Sequence, residues 1–186
     1  MIVFLDFEAS SLGKRGFPIE VGWVMEDGTG EGHLIRPAPG WEEWDASAER
    51  IHGISLERLE REGEAHDGVA RRMVEVLSGH ALHASAPSWD GQWLSRLLRA
   101  AGLPRHALRL RDTDDAQAEV ALSELERAGV PGGAREALAK AVLETVRGEE
   151  EAKGPPAHRA LDDARRELRL WQEVRRRAAE AARGGG

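Results

Sequence analysis

The chain has 186 residues, 41% of them hydrophobic, and 26 Lys and Arg against 33 Asp and Glu give a net charge of −7. That length suits one domain with a real core. Cysteine is absent, which excludes disulfides and thiolate metal sites. The acidic balance argues against a non-specific nucleic-acid coat, which would be basic. It leaves room for a nuclease whose bound cations supply positive charge where the phosphate sits.

Residues 2–8 place Ile2, Phe4, Asp6 and Glu8 on one face and Val3, Leu5 and Phe7 on the other. Both faces are apolar over most of the run, which predicts a central strand. Residues 19–26 and 32–36 predict two more strands, and Asp27-Gly28-Thr29-Gly30 between them is a hairpin signal. The chain then turns helical. Residues 47–62 predict two short helices broken at His52-Gly53, and 67–78 predict a third with Val69, Met73, Val76 and Leu77 inward.

Residues 80–85 predict a short strand stopped by Pro87, after which Asp90 opens a helix carrying Trp93, Leu94, Leu97 and Leu98. A fifth strand is expected at 107–111. Asp112-Thr113 then starts a helix ending at Gly129 and Pro131, and another follows at about 134–147. The Gly/Pro-rich stretch 148–157 reads as a mobile loop. The last helix is expected from His158, burying Leu161, Ala164, Leu168, Trp171 and Val174. The expected fold class is α/β: a mixed five-stranded sheet, three strands as an antiparallel meander plus two parallel, flanked by helices. One domain over 1–183 with a disordered 184–186 tail is expected. No apolar run approaches the ~20 residues of a membrane span. The opening MIVFLDFEAS lacks the basic segment of a secretory signal. A cytoplasmic location fits both.

Three clusters carry chemistry. Asp6 and Glu8 are two apart on a strand, so both project from one face. Acids at the end of an apolar central strand are costly unless solvated, paired or metal-bound. His158 and Asp162 are four apart, which on a helix stacks them on one face. Alone, that pair is also what a solvated helix surface looks like. Asp90 alone fits a plain N-cap. Four carboxylates and an imidazole are together the donor set of a two-metal phosphodiesterase, with Mg²⁺ as the natural ion and Mn²⁺ as a substitute. His158 suits a general base, since an imidazole of ordinary pKa, ~6.5, is near balance at neutral pH.

In order and spacing, FLDFEASSL, SWDGQWL and HRALDDA resemble the three motifs of the DEDDh exonucleases, the group of polymerase proofreading subunits, RNase T and oligoribonuclease. PIEVGWV (18–24), RIHGI (50–54) and Asp112-Thr113 are similar to accessory segments of that family. The resemblance spans nearly the whole chain. It implies an RNase H-like fold and 3′→5′ release of nucleoside monophosphates from single-stranded DNA or RNA. It further implies catalytic Asp6, Glu8, Asp90, His158 and Asp162, the four carboxylates being the metal ligands. Substrate contacts are implied at Ala9, Ser10, Ser11 and Leu12, the leucine as a wedge at the terminal base. Ala9-Ser10-Ser11 stands where the family often has Thr-Thr-Gly, and Ser85-Ala86 where it often has His-Asn.

Among other residues, Trp41, Trp44, Trp89 and Trp93 are candidates for base stacking, although packing explains Trp93 as well. Lys14, Arg15, Lys153 and Arg159 are candidates for backbone phosphates. Glu20 reads either as a partner behind the site or as a solvated acid, and His52 as turn structure. Any polymerase partner is expected to be a separate chain. The rival expectation is an inactive RNase H-like module that binds nucleic acid or protein.

Overall fold

The computed structural model describes residues 1–184. Its elements are β1 (Ile2–Ala9), β2 (Pro18–Met25), β3 (Gly30–Arg36), α1 (Ala46–His52), α2 (Leu56–Glu62), β4 (Glu64–Ala65) and α3 (His66–Leu77). There follow β5 (Ala81–Ala84), α4 (Pro87–Ala100), β6 (Leu110–Asp112), α5 (Thr113–Arg127), α6 (Gly132–Glu151) and α7 (Ala160–Gly184). The strands form one mixed sheet in the order β4-β3-β2-β1-β5-β6. β1, β2 and β3 are the expected antiparallel meander, and β5 and β6 extend it parallel to β1.

The differences from expectation have local causes. A sixth strand exists because Glu64 and Ala65 pair with Ile35 and Arg36 at the sheet edge, and two residues carry no periodic signal. β3 begins at Gly30 because the turn closes early, with the Met25 amide bonded to the Thr29 carbonyl at 2.7 Å. β6 is shorter and later than 107–111, limited to the residues that pair with Leu82, His83 and Ala84. Pro87 does not end a strand but opens α4, at the helix position where its missing amide costs nothing. Residues 148–151, expected as loop, continue α6. Gly184 is the last residue of α7, and the rest of the expected tail lies outside the described residues.

The two faces of the sheet are covered differently. Val3, Leu5, Phe7, Val21 and Trp23 pack against α3 and α4 through Met73, Leu77, Trp93 and Leu97. On the other face Phe4 and Val24 meet Ala116 of α5 and Ala164, Leu168 and Trp171 of α7. α5, α6 and α7 also share a core of their own around Leu125, Val142 and Val174. That second core holds α7 from outside while the sheet holds it from inside.

Glycine sets how closely α7 can approach. A Cβ on Gly22 would lie 2.2 Å from the Leu161 amide nitrogen and 2.4 Å from its Cα. Both are backbone atoms, so nothing can swing aside. Gly32 on the neighbouring strand faces the Leu161 side chain in the same way, at 3.2 Å. The first turn of α7 therefore rests directly on the backbone of β2. Because Gly22 is the register partner of Asp6, that contact falls beside the acidic end of β1.

Gly22→Ala is expected to cost ~1–3 kcal/mol as overpacking against immovable backbone. Gly68→Ala, in α3 with open space around the new methyl, is expected to be neutral or to stabilise by ~0.4–1 kcal/mol. Urea unfolding of the two variants beside the wild type checks both.

Candidate active site

β1 and β5 run parallel, so their C-terminal ends open on one edge of the sheet. Along β1 the face toward α7 reads Ile2, Phe4, Asp6, Glu8, and burial ends where charge begins. Phe4 is buried, whereas Asp6 and Glu8 are half-buried. Asp90 reaches the same place from the first turn of α4 and is only 3% exposed. One of its oxygens, Oδ2, is buried without a hydrogen-bond partner. A cleft of about 270 Å³ is lined by Asp6, Phe7, Glu8, Ser85, Pro156, His158, Asp163, Arg166 and Glu167.

The third motif is placed differently from its expected helical stacking. α7 begins at Ala160, so His158 precedes the helix, with its backbone left-handed at φ 55. The 158/162 spacing therefore puts nothing on a common face. Asp162 is exposed and faces Arg165 at 3.8 Å. Asp163 turns inward instead. Asp6, Glu8 and Asp163 each offer an oxygen lying within 4.8 Å of the others. Asp163 also accepts the backbone amides of Ala157 at 3.0 Å and Arg159 at 3.2 Å, so it holds both sides of His158.

Crowding like charges away from water has the expected electrostatic result. Burial, then the Asp90 and Glu8 charges, raises Asp6 well above the carboxylate range. Burial, then Asp163 and Glu20, pushes Glu8 up to about 8, although Arg159 works against them. Burial raises Asp90 to about 7, opposed by nearby backbone amides. Glu167, one helical turn beyond Asp163, is raised by burial as well. Such a group of acids, including an unpartnered buried oxygen, is the donor set that hard divalent cations take. The residues present therefore fit the expected metal.

The loop after β1 turns its two serines inward. Ser10 is buried, its Oγ accepting the Phe17 amide at 3.0 Å, and its carbonyl accepts the Asp45 amide at 3.0 Å. Ser11 is buried too and donates from Oγ to Glu43. Both hydroxyls, expected to touch substrate, are instead spent on the loop. Arg96 of α4 ties the loop further by bonding the Gly16 carbonyl. What the loop presents is Leu12, 68% exposed. Trp89 is 42% exposed and stacks on buried Trp93 at 6.0 Å. Trp41 stacks on Phe17, and Trp44 donates to Glu49, so both serve packing.

Several secondary candidates also find partners. Arg15 lies by Glu43, Lys153 by Glu150, and Arg159 is held by Glu20. Glu20 is buried rather than solvated. His52, expected as turn structure, is the buried last residue of α1. Asp112 caps α5 by accepting the Asp114 amide. The sequence reading missed Asp163 and Glu167. A signal was present: both are charged residues on the inward side of an amphipathic helix, next to Ala164 and Leu168.

These shifts predict a pH dependence of stability. Asp6, Glu8 and Asp90 bind protons in the folded state that the unfolded chain has already released. Their contribution is therefore fully present below the unfolded pKa values and is lost as pH rises through the folded ones. The metal-free protein is expected to melt at progressively lower temperature from about pH 5 to about pH 8. Glu8→Gln, which cannot ionise, is expected to flatten that fall. Thermal melting in the presence of chelator tests both.

No protein-family model matches the sequence, and no curated protein does. Solved structures share its fold. Exonuclease I with bound product superposes at a TM-score of 0.53 and 17% identity, over 65% of this chain and 32% of that one. Escherichia coli exonuclease I in complex with a dT13 oligonucleotide gives 0.53 and 17%, over 65% and 30%. Exonuclease I of Methylocaldum szegediense gives 0.55 and 16%, over 63% and 28%. The matched region is about a third of each exonuclease I chain. The architecture is thus the RNase H-like one that the three motifs led us to expect, and it is shared with the exonuclease I structures.

Proposed function

We propose that this chain is a metal-dependent 3′→5′ exonuclease that hydrolyses the terminal phosphodiester bond of single-stranded DNA or RNA and releases nucleoside 5′-monophosphates. The observation that carries this reading is the cluster of Asp6, Glu8 and Asp163 beside the unpartnered Asp90 Oδ2, with His158 at the rim of the same cleft. The single-stranded DNA bound in solved E. coli exonuclease I complexes supports the substrate class.

Asp6, Glu8, Asp90 and Asp163 would hold two Mg²⁺ or Mn²⁺ ions. Such ions activate water and stabilise the attacking and leaving oxygens of an in-line displacement. The protein's own groups do the rest. A ring nitrogen of His158 accepts the proton of the attacking water. Leu12 and Trp89 present apolar surface for the terminal base, with Trp89 braced on Trp93. Arg159 already serves Glu20 and Lys153 serves Glu150, which leaves exposed Lys14 and Arg15 as the basic side chains near the cleft, so phosphates approaching an acidic chain depend chiefly on the cations.

His158→Ala is expected to lower kcat ~10²–10⁴-fold with oligonucleotide KM retained. Asp163→Asn should abolish metal-dependent release, whereas Asp162→Asn should remain close to wild type. A labelled single strand, open or blocked at its 3′ end and incubated with Mg²⁺ or Mn²⁺, reads all three. Binding without cleavage by the wild type would establish an inactive module instead. Cleavage of the blocked strand would establish an endonuclease.

A further inference from the structure

His158 is the one non-glycine residue with positive φ among the described residues. A side chain in the left-handed region is uncommon and persists only where its surroundings enforce it. No hydrogen bond to the imidazole itself does so among the described residues. The enforcement comes from its neighbours. Asp163 takes the amides on both sides. The second clamp comes from β2, 139 residues away in sequence. Glu20 Oε1 accepts Arg159 Nη2 at 2.7 Å, and its Oε2 accepts Arg159 Nε at 3.1 Å and the Ala160 amide at 3.0 Å.

This carboxylate occupies an expensive position. Glu20 is 5% exposed and is the register partner of Glu8, on the face of β2 that already meets the acidic site. Adding a buried negative charge there worsens the repulsion around Glu8. An amide or an apolar residue would pack β2 without that cost. What a carboxylate supplies is a bidentate seat for the guanidinium. It also supplies an acceptor for the first amide of α7, an end-of-helix donor with no partner within its own helix. Both bonds land on the two residues that follow His158.

On the exonuclease reading above, we propose that Glu20 is a positioning residue for His158. Through Arg159 and the Ala160 amide it fixes where the imidazole meets the cleft. It touches neither the scissile bond nor the ions. Arg159 is accordingly an anchor rather than a phosphate ligand, which changes its expected behaviour. Its replacement acts on turnover more than on affinity for the strand.

The test is a double-mutant cycle of Glu20→Gln, Arg159→Met and the pair. Each variant is assayed for kcat and KM on a single-stranded oligonucleotide, for Mn²⁺ affinity by calorimetry, and for melting temperature. Each single change is expected to lower kcat ~10–100-fold, the scale of a misplaced catalytic group. KM and Mn²⁺ affinity should stay within about threefold, and the pair should be little worse than either single change. Arg159→Lys, which keeps one bond to Glu20, should recover part of kcat. Unchanged kcat, additive losses, or a fall in kcat matched by lost Mn²⁺ affinity would overturn the proposal. An inactive wild type would overturn the exonuclease reading itself, and Glu20 would then be a purely structural anchor.

Discussion

The structure depends on one close contact, the first turn of α7 lying on the bare backbone of β2. At Gly22 the strand has no side chain, and the Leu161 backbone takes that space. The α7 side of the site follows from that approach. It brings Asp163 within reach of Asp6 and Glu8. It delivers the Ala160 amide to Glu20. Just before this turn the backbone at His158 is left-handed. The apolar remainder of α7, from Ala164 through Trp171 to Val174, supplies the burial that holds the contact closed.

The electrostatics run against the packing. Hydrophobic burial draws together strands and helices whose ends carry Asp6, Glu8, Asp90, Asp163 and Glu167, and few cations among the described residues accompany them. Arg159 eases Glu8 yet is itself committed to Glu20, and Arg166 is committed to Glu150. The result is a folded state that keeps protons on carboxylates near neutral pH. This is stored unfavourable energy in a defined place, the usual condition of a site awaiting a counter-charge.

Features that depend on neighbours in sequence are legible in the chain itself. The alternation in residues 2–8 places Asp6 and Glu8 on one face, and the hairpin signal places the meander. The His52-Gly53 break separates α1 from α2, and Gly53 is indeed left-handed there. Features set across the fold are not legible in this way. His158 lies ahead of α7 rather than on it, and the Ala160 amide that opens the helix is met by Glu20 from another strand. Whether Glu20 is solvated or buried depends on Arg159. The inward-turned hydroxyls of Ser10 and Ser11 depend on Glu43, Asp45 and Phe17. Asp90 is hardest to place because a helix-start acid looks like any cap, and only its burial sets it apart.

The contact at Gly22 also limits how this site can diversify. Asp6 faces a strand position where no side chain fits, so β2 cannot contribute a new contact there without dislodging the helix. The wall formed by β2 and α7 is closed to change. Variation in what the cleft accepts is left to the rim: the loop carrying Leu12, the start of α4 with Trp89, and the segment between α6 and His158. Change in this fold is therefore confined to three edges around a fixed centre.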